Sequence, residues 1–532
     1  MGTEIGTVRV VNMIPASLSG ERNQDSEPNI AVNPERPTDM VATAFTPSPM
    51  GGAFAPIYVS TDGGNTWNLR SVVPGNGLGG TSDITVGFAT KGGVLYAAIL
   101  NGQTLHMQIL RTQSFSSTTP MTLLVDRASV DQPWVVAGSV VLNNISRDRV
   151  YVGNENGMQP NGRTATVDVS QNASTALPPA GFVPIVLERR STIFKDGPPI
   201  RIALHTNGTV YAAFQRWASG TFPNLNIDIV VTRDNNGGAS TPPFSALVDA
   251  ADGIVGQRVA TNRFVRFNAI MGQERLGADL SIAVDPTDSR AVWIAWCDRV
   301  GGATGTDWTL HVRRSTDSGQ TWSADVRSIT NAKNPSLAIN STRLVGLAYQ
   351  QFTGTKWVTK LELTSDAWAS PPETHVLHQA PSAVPARVFL PYIGDYIRLL
   401  AVGREFYGVF SGNNTPDMAN FPSGVRYQRR ADWGTRTLLS VDGTTTVPTS
   451  IDPFFFQWTE PVIVPGPIIT RGPIITRGPS MPSEPIIPQR PIGPEPPAPA
   501  VPPEAPSGSP GSERARGRRA PKSPKPPTDI EL

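Results

Sequence analysis

Short apolar runs recur along this chain in a fixed order. The clearest copy is Asn29-Ile30-Ala31-Val32-Asn33-Pro34, then Met40 to Phe45, then Ile57 to Asp62. The same order returns at Leu280-Ser281-Ile282-Ala283-Val284-Asp285-Pro286, then Ala291 to Trp296, then Leu310 to Asp317. Weaker copies open near Ile84, Trp134, Ile200, Leu337 and Leu399. Each run is bounded by Asn-Pro, Asp-Pro or Gly turns and is rich in β-branched and aromatic residues, which reads as strand rather than helix.

The copies number about seven, spaced roughly 40 to 60 residues apart, as the four-stranded blades of a propeller are. A single blade cannot bury both of its faces, so stability has to come from stacking neighbours and closing the ring. The expectation is an all-β protein, a six- or seven-bladed β-propeller over residues 26–458. Within the preceding segment, residues 1–25, Thr7 to Met13 could close the ring as the outer strand of the last blade.

Composition supports the strand reading: Gly and Pro supply 49 and 51 of 532 residues, which suits many tight turns. After Trp458 the pattern changes. Gly466-Pro467-Ile468-Ile469-Thr470-Arg471 repeats at once as Gly472-Pro473-Ile474-Ile475-Thr476-Arg477, alternating Pro with β-branched residues as extended chain does. Residues 459–532 therefore read as a disordered, Pro-rich and basic tail. Its Arg514-Ala515-Arg516-Gly517-Arg518-Arg519 stretch suits an acidic protein partner, and a solubilising role explains it as well.

Net charge is +2, and part of the positive side lies in the tail, so the body lacks the basic stripe of a nucleic-acid binder. The single cysteine, Cys297, excludes an intramolecular disulfide and any multi-cysteine metal site. No apolar stretch approaches a membrane span, and residues 1–16 do not read as a secretory signal, which leaves a cytoplasmic location or a non-classical export route. The five histidines form no ligand pair, and G-x-S-x-G and phosphate-loop patterns are absent.

Two segments read S-x-D-x-G-x-T-W: Ser60-Thr61-Asp62-Gly63-Gly64-Asn65-Thr66-Trp67 and Ser315-Thr316-Asp317-Ser318-Gly319-Gln320-Thr321-Trp322. Degenerate forms follow at Asp234 and Asp366. Asp accepts backbone N–H bonds within a turn, Gly supplies positive φ, and Trp covers the turn. The pattern resembles the Asp-box, or BNR repeat, of sialidases and their relatives, across roughly residues 26 to 432. That resemblance implies a propeller in which Asp62, Trp67, Asp317 and Trp322 are structural, lying between third and fourth strands at the outer edge of a blade.

The resemblance also implies a chemistry: a Tyr nucleophile paired with Glu, an Asp acid/base, and three arginines that clamp a sugar carboxylate. The F/Y-R-I-P segment that supplies the first arginine in that family is missing, and Pro199-Ile200-Arg201-Ile202 is a loose echo. Polar residues nevertheless precede the opening strands of successive units. Glu27, Asp83 and Asp279 align, Gln132 and Asn334 match them, and Asp131, Asp196 and Asp395 lie close by. If opening strands line the axis, these groups ring one mouth, where they raise each other's pKa, hold a cation, or lock adjacent blades through backbone N–H bonds.

Tyr392-Ile393-Gly394-Asp395-Tyr396-Ile397-Arg398 brings a Tyr, an Asp and an Arg together, so Tyr396, Asp395 and Arg398 are the candidate catalytic residues. Glu27, Asp83, Asp279 and Arg201 are the candidate ligand-binding residues. The expected partner is a glycan or glycoconjugate, bound or hydrolysed, with no dedicated metal or cofactor. The alternative is a non-catalytic protein-interaction scaffold tethered by its tail.

Overall fold

The computed structural model describes residues 6–45, 56–71, 81–101, 104–142, 145–158, 164–174, 181–191, 196–197, 199–266, 279–305, 307–386 and 392–461. The tail from 462 onward lies outside the described residues. Met1–Pro461 forms one compact unit. Among the described residues there is no α-helix, and the strands make seven four-stranded antiparallel sheets and one of three strands.

The seven sheets are the blades, and the ring therefore has seven rather than six. Their innermost strands are Ser26–Val32, Thr81–Phe88, Val130–Leu142, Arg201–Leu204, Leu280–Asp285, Ala332–Ile339 and Arg398–Val402. Each packs against the next, and the seventh packs against the first. In the first six blades, four consecutive strands run from axis to rim. The seventh has the order Arg398–Val402, Glu405–Asn413, Ile451–Thr459 and Thr7–Asn12, so its rim strand comes from the opposite end of the unit.

The apolar core lies between blades rather than at a single centre. The period-2 alternation of a strand explains how one strand serves two interfaces. In Leu95–Asn101, Leu95, Ala97 and Ile99 face the first blade beside Val41 and Val86. Tyr96 and Ala98 face the third blade beside Val135 and Val152. Both faces of such second strands are covered, which is why they read as unbroken apolar runs.

The S-x-D-x-G-x-T-W segments sit where expected in chain order. The first joins Pro56–Ser60 to Asn68–Ser71, and the second joins Asp307–Ser315 to Arg327–Thr330. Asp62 Oδ1 accepts the Thr66 N–H at 2.9 Å and Oδ2 accepts the Thr66 hydroxyl at 2.6 Å. Asp317 repeats both bonds with Thr321 at 2.9 and 2.6 Å. Trp67 is buried against Phe455 of the seventh blade, 5.5 Å between ring centres, while Trp322 is half-buried over its own turn.

These turns also receive arginines from the preceding blade. Arg233 donates to the Ser318 carbonyl, and Arg9 reaches the Gly63 carbonyl and Asn65. At the seam, residues 414–450 form an insertion between the second and third strands of the seventh blade, and it carries the three-stranded sheet. Its Arg426 pairs in parallel with Val11, and Gln428 accepts the Trp67 N–H at 2.8 Å, so the insertion covers the otherwise open edge of the rim strand.

Candidate functional site at the axis

Four innermost strands share one irregularity. Pairing with the second strand breaks between Ser26 and Asn29, Thr81 and Ile84, Asp131 and Trp134, and Lys333 and Ser336. The extra residues form β-bulges, which turn side chains out of the ladder's alternation. Glu27, Gln132 and Asn334 hold φ of 54°, 42° and 52° there, and each precedes a proline that could not have donated a ladder bond. The register corrects the sequence alignment by one residue: Glu27 matches Ser82, Gln132 and Asn334, while Asp83 occupies the place of Pro28.

The expectation that the acidic ring locks the blades together through backbone N–H groups is met mainly by other residues. Asn29 accepts the Val86 N–H at 3.1 Å, Thr85 that of Val135 at 3.0 Å, Ser281 that of Leu337 at 2.8 Å, and Ser336 that of Leu399 at 2.8 Å. Of the candidate ligand-binding acids, Glu27 joins in, accepting the Asp395 N–H at 3.2 Å. Small polar residues inside apolar strands were the signal for these locks.

Every candidate catalytic and ligand-binding residue falls in one axial cluster. Tyr396 donates its hydroxyl to Asp83 Oδ1 at 2.8 Å. Arg201 pairs with Asp279 at 3.1 Å through Nη2. Trp134, from the third blade, underlies both arginines: its ring centre is 3.9 Å from the Arg201 guanidinium carbon and 4.6 Å from that of Arg398. Tyr396 meets the same indole edge-on at 5.5 Å. Lys333 and Asn334 both donate to the Gly394 carbonyl at 3.0 Å. The contributions of Trp134 and Lys333 were not anticipated, because both read as ordinary strand positions.

Burial shapes the electrostatics. Asp279, Asp83, Glu27 and Arg201 are all under a tenth exposed, Tyr396 and Asp395 are 1% exposed, and Arg398 is half-buried. Burial pushes the Asp279 carboxyl up to about 8 against the pull of Arg201, and the Asp395 charge adds to the rise. Burial, followed by the Asp83 and Glu27 charges, pushes the Tyr396 phenol well above its ordinary value. Burial and the like charge of Arg201 bring Arg398 down to about 9. Arg201 Nε and Nη1 and Arg398 Nη1 are buried without a hydrogen-bond partner among the described residues.

Among the described residues no group of three or more acidic, His or Cys side chains is arranged to hold a metal ion, and Arg201, Arg398 and Lys333 lie among the acids of the cluster. One expectation needs correction. Asp196 stands away from the axis, accepting from the Thr164 hydroxyl at 2.7 Å and the Ala165 N–H at 3.0 Å. A groove of about 490 Å³ lies elsewhere, between the third and fourth blades, and its lining, including Val169, Val183, Ile185 and Pro243, contains no titratable side chain.

As an arrangement, the cluster offers a carboxyl group whose pKa burial raises to about 8, a phenol bonded to a carboxylate, and two guanidinium groups with unspent donors. No protein-family model and no curated relative matches the sequence. Among solved structures, the chain is similar to an α-L-arabinanase of Penicillium chrysogenum complexed with arabinobiose, at 12% identity and a TM-score of 0.38, covering 85% of this chain and 98% of that one. It is similar to a GH93 α-L-arabinofuranosidase of Fusarium graminearum at 8% identity and a TM-score of 0.39, covering 64% and 92%. A Dyadobacter fermentans protein of unknown function gives 11% identity and a TM-score of 0.42, covering 85% and 99%.

Proposed function

We propose that this chain is a glycan-acting β-propeller that takes an acidic sugar at the axial mouth, with exo-α-sialidase-type hydrolysis as its reaction. The reading is carried by one observation: the Tyr396–Asp83 pair, Arg201, Arg398 and Asp279 converge from four blades on one cluster. In this reading Arg201 and Arg398 hold the sugar carboxylate through charge-assisted bonds. The Tyr396 oxygen attacks the anomeric carbon while Asp83 takes its proton, and Asp279, still protonated at neutral pH, gives its proton to the leaving oxygen. Water then hydrolyses the glycosyl-tyrosine, with the same carboxyl group acting as base. Asp395, a candidate catalytic residue, takes no proton in this reading; its backbone N–H donates to Glu27 and its charge helps raise Asp279.

A second reading, recognition without hydrolysis, is favoured by a specific feature. The cluster has two arginines and a lysine where the sialidase resemblance implies three arginines, and Tyr396 is 1% exposed. Cleavage of a fluorogenic sialoside by the purified chain, with Tyr396→Phe and Arg398→Ala beside it, separates the two. Turnover abolished in both variants supports hydrolysis at this cluster, and turnover that survives both rejects the site. With no turnover, binding of acidic glycans on an array supports recognition alone, and a blank array rejects the glycan reading altogether.

A further inference from the structure

We propose that Trp134 is the positioning residue of the axial site, an indole platform that holds Arg201 and Arg398 by their faces so that their N–H edges stay free for an anionic group. This inference rests on the acidic-glycan reading above. A guanidinium stacked on an aromatic ring is held through its flat face, whereas its five donors lie in its own plane. An arginine fixed by carboxylates would instead have those donors occupied.

The geometry fits the first arrangement. Both guanidinium carbons lie within 5 Å of the Trp134 ring centre, at 3.9 and 4.6 Å. One hydrogen bond, from Arg201 Nη2 to the Asp279 carboxyl group, is the single contact either arginine makes with an acidic side chain among the described residues. Three further guanidinium nitrogens, Arg201 Nε and Nη1 and Arg398 Nη1, remain buried and unpartnered among the described residues. Burying a donor without a partner is unfavourable, so two like charges with unspent donors persist only because something else holds them together. The indole is the shared neighbour. Tyr396 packs edge-on against it at 5.5 Å and lies 5.5 Å from Arg201, which fixes the ring's orientation.

The experiment measures binding of glucuronate, glucose and inorganic sulfate by titration calorimetry to the full chain and to Trp134→Phe, Trp134→Leu and Arg201→Lys. The expected result is glucuronate binding with no glucose binding in the parent, about tenfold weaker glucuronate binding in W134L, and a loss within about threefold in W134F, which keeps a ring face. R201K keeps the charge but loses the flat face, and should weaken binding about as much as W134L. Combined with W134L, R201K should cost less than the sum of the two single changes, because both remove one contact. If W134L fails to fold, Trp134→Met, apolar but without a ring face, takes its place in the cycle.

Glucuronate affinity that is unchanged in W134L, or strictly additive effects in the cycle, overturns the platform while leaving the glycan reading standing. Sulfate binding that depends on Trp134, with no glucuronate binding, supports the platform and rejects the acidic-sugar reading. Binding of none of the three probes by the parent chain overturns the platform.

Discussion

Gly394 is the position where the axial cluster tolerates least change. Its φ is +90°, and a Cβ built there would lie 2.5 Å from the Glu27 backbone nitrogen, 2.8 Å from Glu27 Cγ and 3.0 Å from Glu27 Cα. The nearest obstacle is backbone, which cannot swing away as a side-chain end can. Its carbonyl also accepts from Lys333 and Asn334, so a displaced Gly394 disturbs three blades at once. For Gly394→Ala the left-handed backbone costs about 1–2 kcal/mol, and overpacking against Glu27 adds about 1–3 kcal/mol, giving about 2–5 kcal/mol together. Gly403, a few residues on in the same blade, is the control: φ is +61° and nothing lies within 4 Å, so Gly403→Ala should cost only the backbone term, about 1–2 kcal/mol. Urea denaturation of both variants compares them directly, reading midpoints at unchanged slope. Equal midpoints would refute the argument, since they would mean that Glu27 moves aside at no cost and that the mouth is not tightly packed.

Other positions carry their own expected outcomes. His378 is 2% exposed among Phe410, Phe421 and Phe454, and burial brings its imidazole down to about 4. Its folded value lies below the unfolded one near 6.5, so the unfolded chain takes up the proton first. Stability should be fully present above pH 6.5 and fall by up to about 3 kcal/mol as pH drops toward 4, and His378→Phe should flatten that slope in urea midpoints taken at pH 7.5 and 4.5. Arg429 and Asp452 form an ion pair with both side chains fully buried at the ring seam, beside Glu21, whose carboxyl is pushed up to about 8 by burial and then by the Asp452 charge. Arg429→Met should cost about 3–5 kcal/mol by leaving Asp452 unpaired, while Arg429→Met with Asp452→Leu should recover much of that loss, as calorimetric melting would record. Asp317→Ala removes the two Thr321 bonds and should cost about 1–2 kcal/mol in urea midpoints while leaving glycan binding at the axis unchanged.

The fold was legible because its signals are local and repeated. A third strand, an acidic turn and a Trp recur at Asp62 and Asp317, and the turns hold themselves by bonds within a few residues. The polar residues at the heads of the opening strands were legible as a ring for the same reason. What sequence could not reveal was register. A bulge shifts Asp83 by one place relative to Glu27, and nothing in Ser82-Asp83-Ile84 announces it without a proline. Trp134 was equally hidden: it lies in a strand of Val and Ala where an indole reads as core, and its role depends on Arg201 and Arg398, which are far apart in the chain. The seam insertion over 414–450 follows no repeat, so periodicity had no hold on it.

Repetition and chemistry are in tension in a ring of this kind. Seven equivalent positions would place seven like groups around the axis, and buried like charges repel. The chain resolves this by letting blades diverge where the strands begin. The first, second and fifth supply Glu27, Asp83 and Asp279, the fourth and sixth supply Arg201 and Lys333, and the seventh brings Tyr396 and Arg398. The third gives no charge from Trp134, only a surface on which two of the cations rest. Meanwhile the bonds that hold successive blades together fall to Asn29, Thr85, Ser281 and Ser336, slightly further along the same strands. Most backbone locks lie off the charged ring, although Glu27 and the Arg201–Asp279 contact also join blades. Arg398 makes no ion pair among the described residues, so Arg398→Ala should alter ligand binding more than stability, and substitutions at Ser281 or Ser336 the reverse.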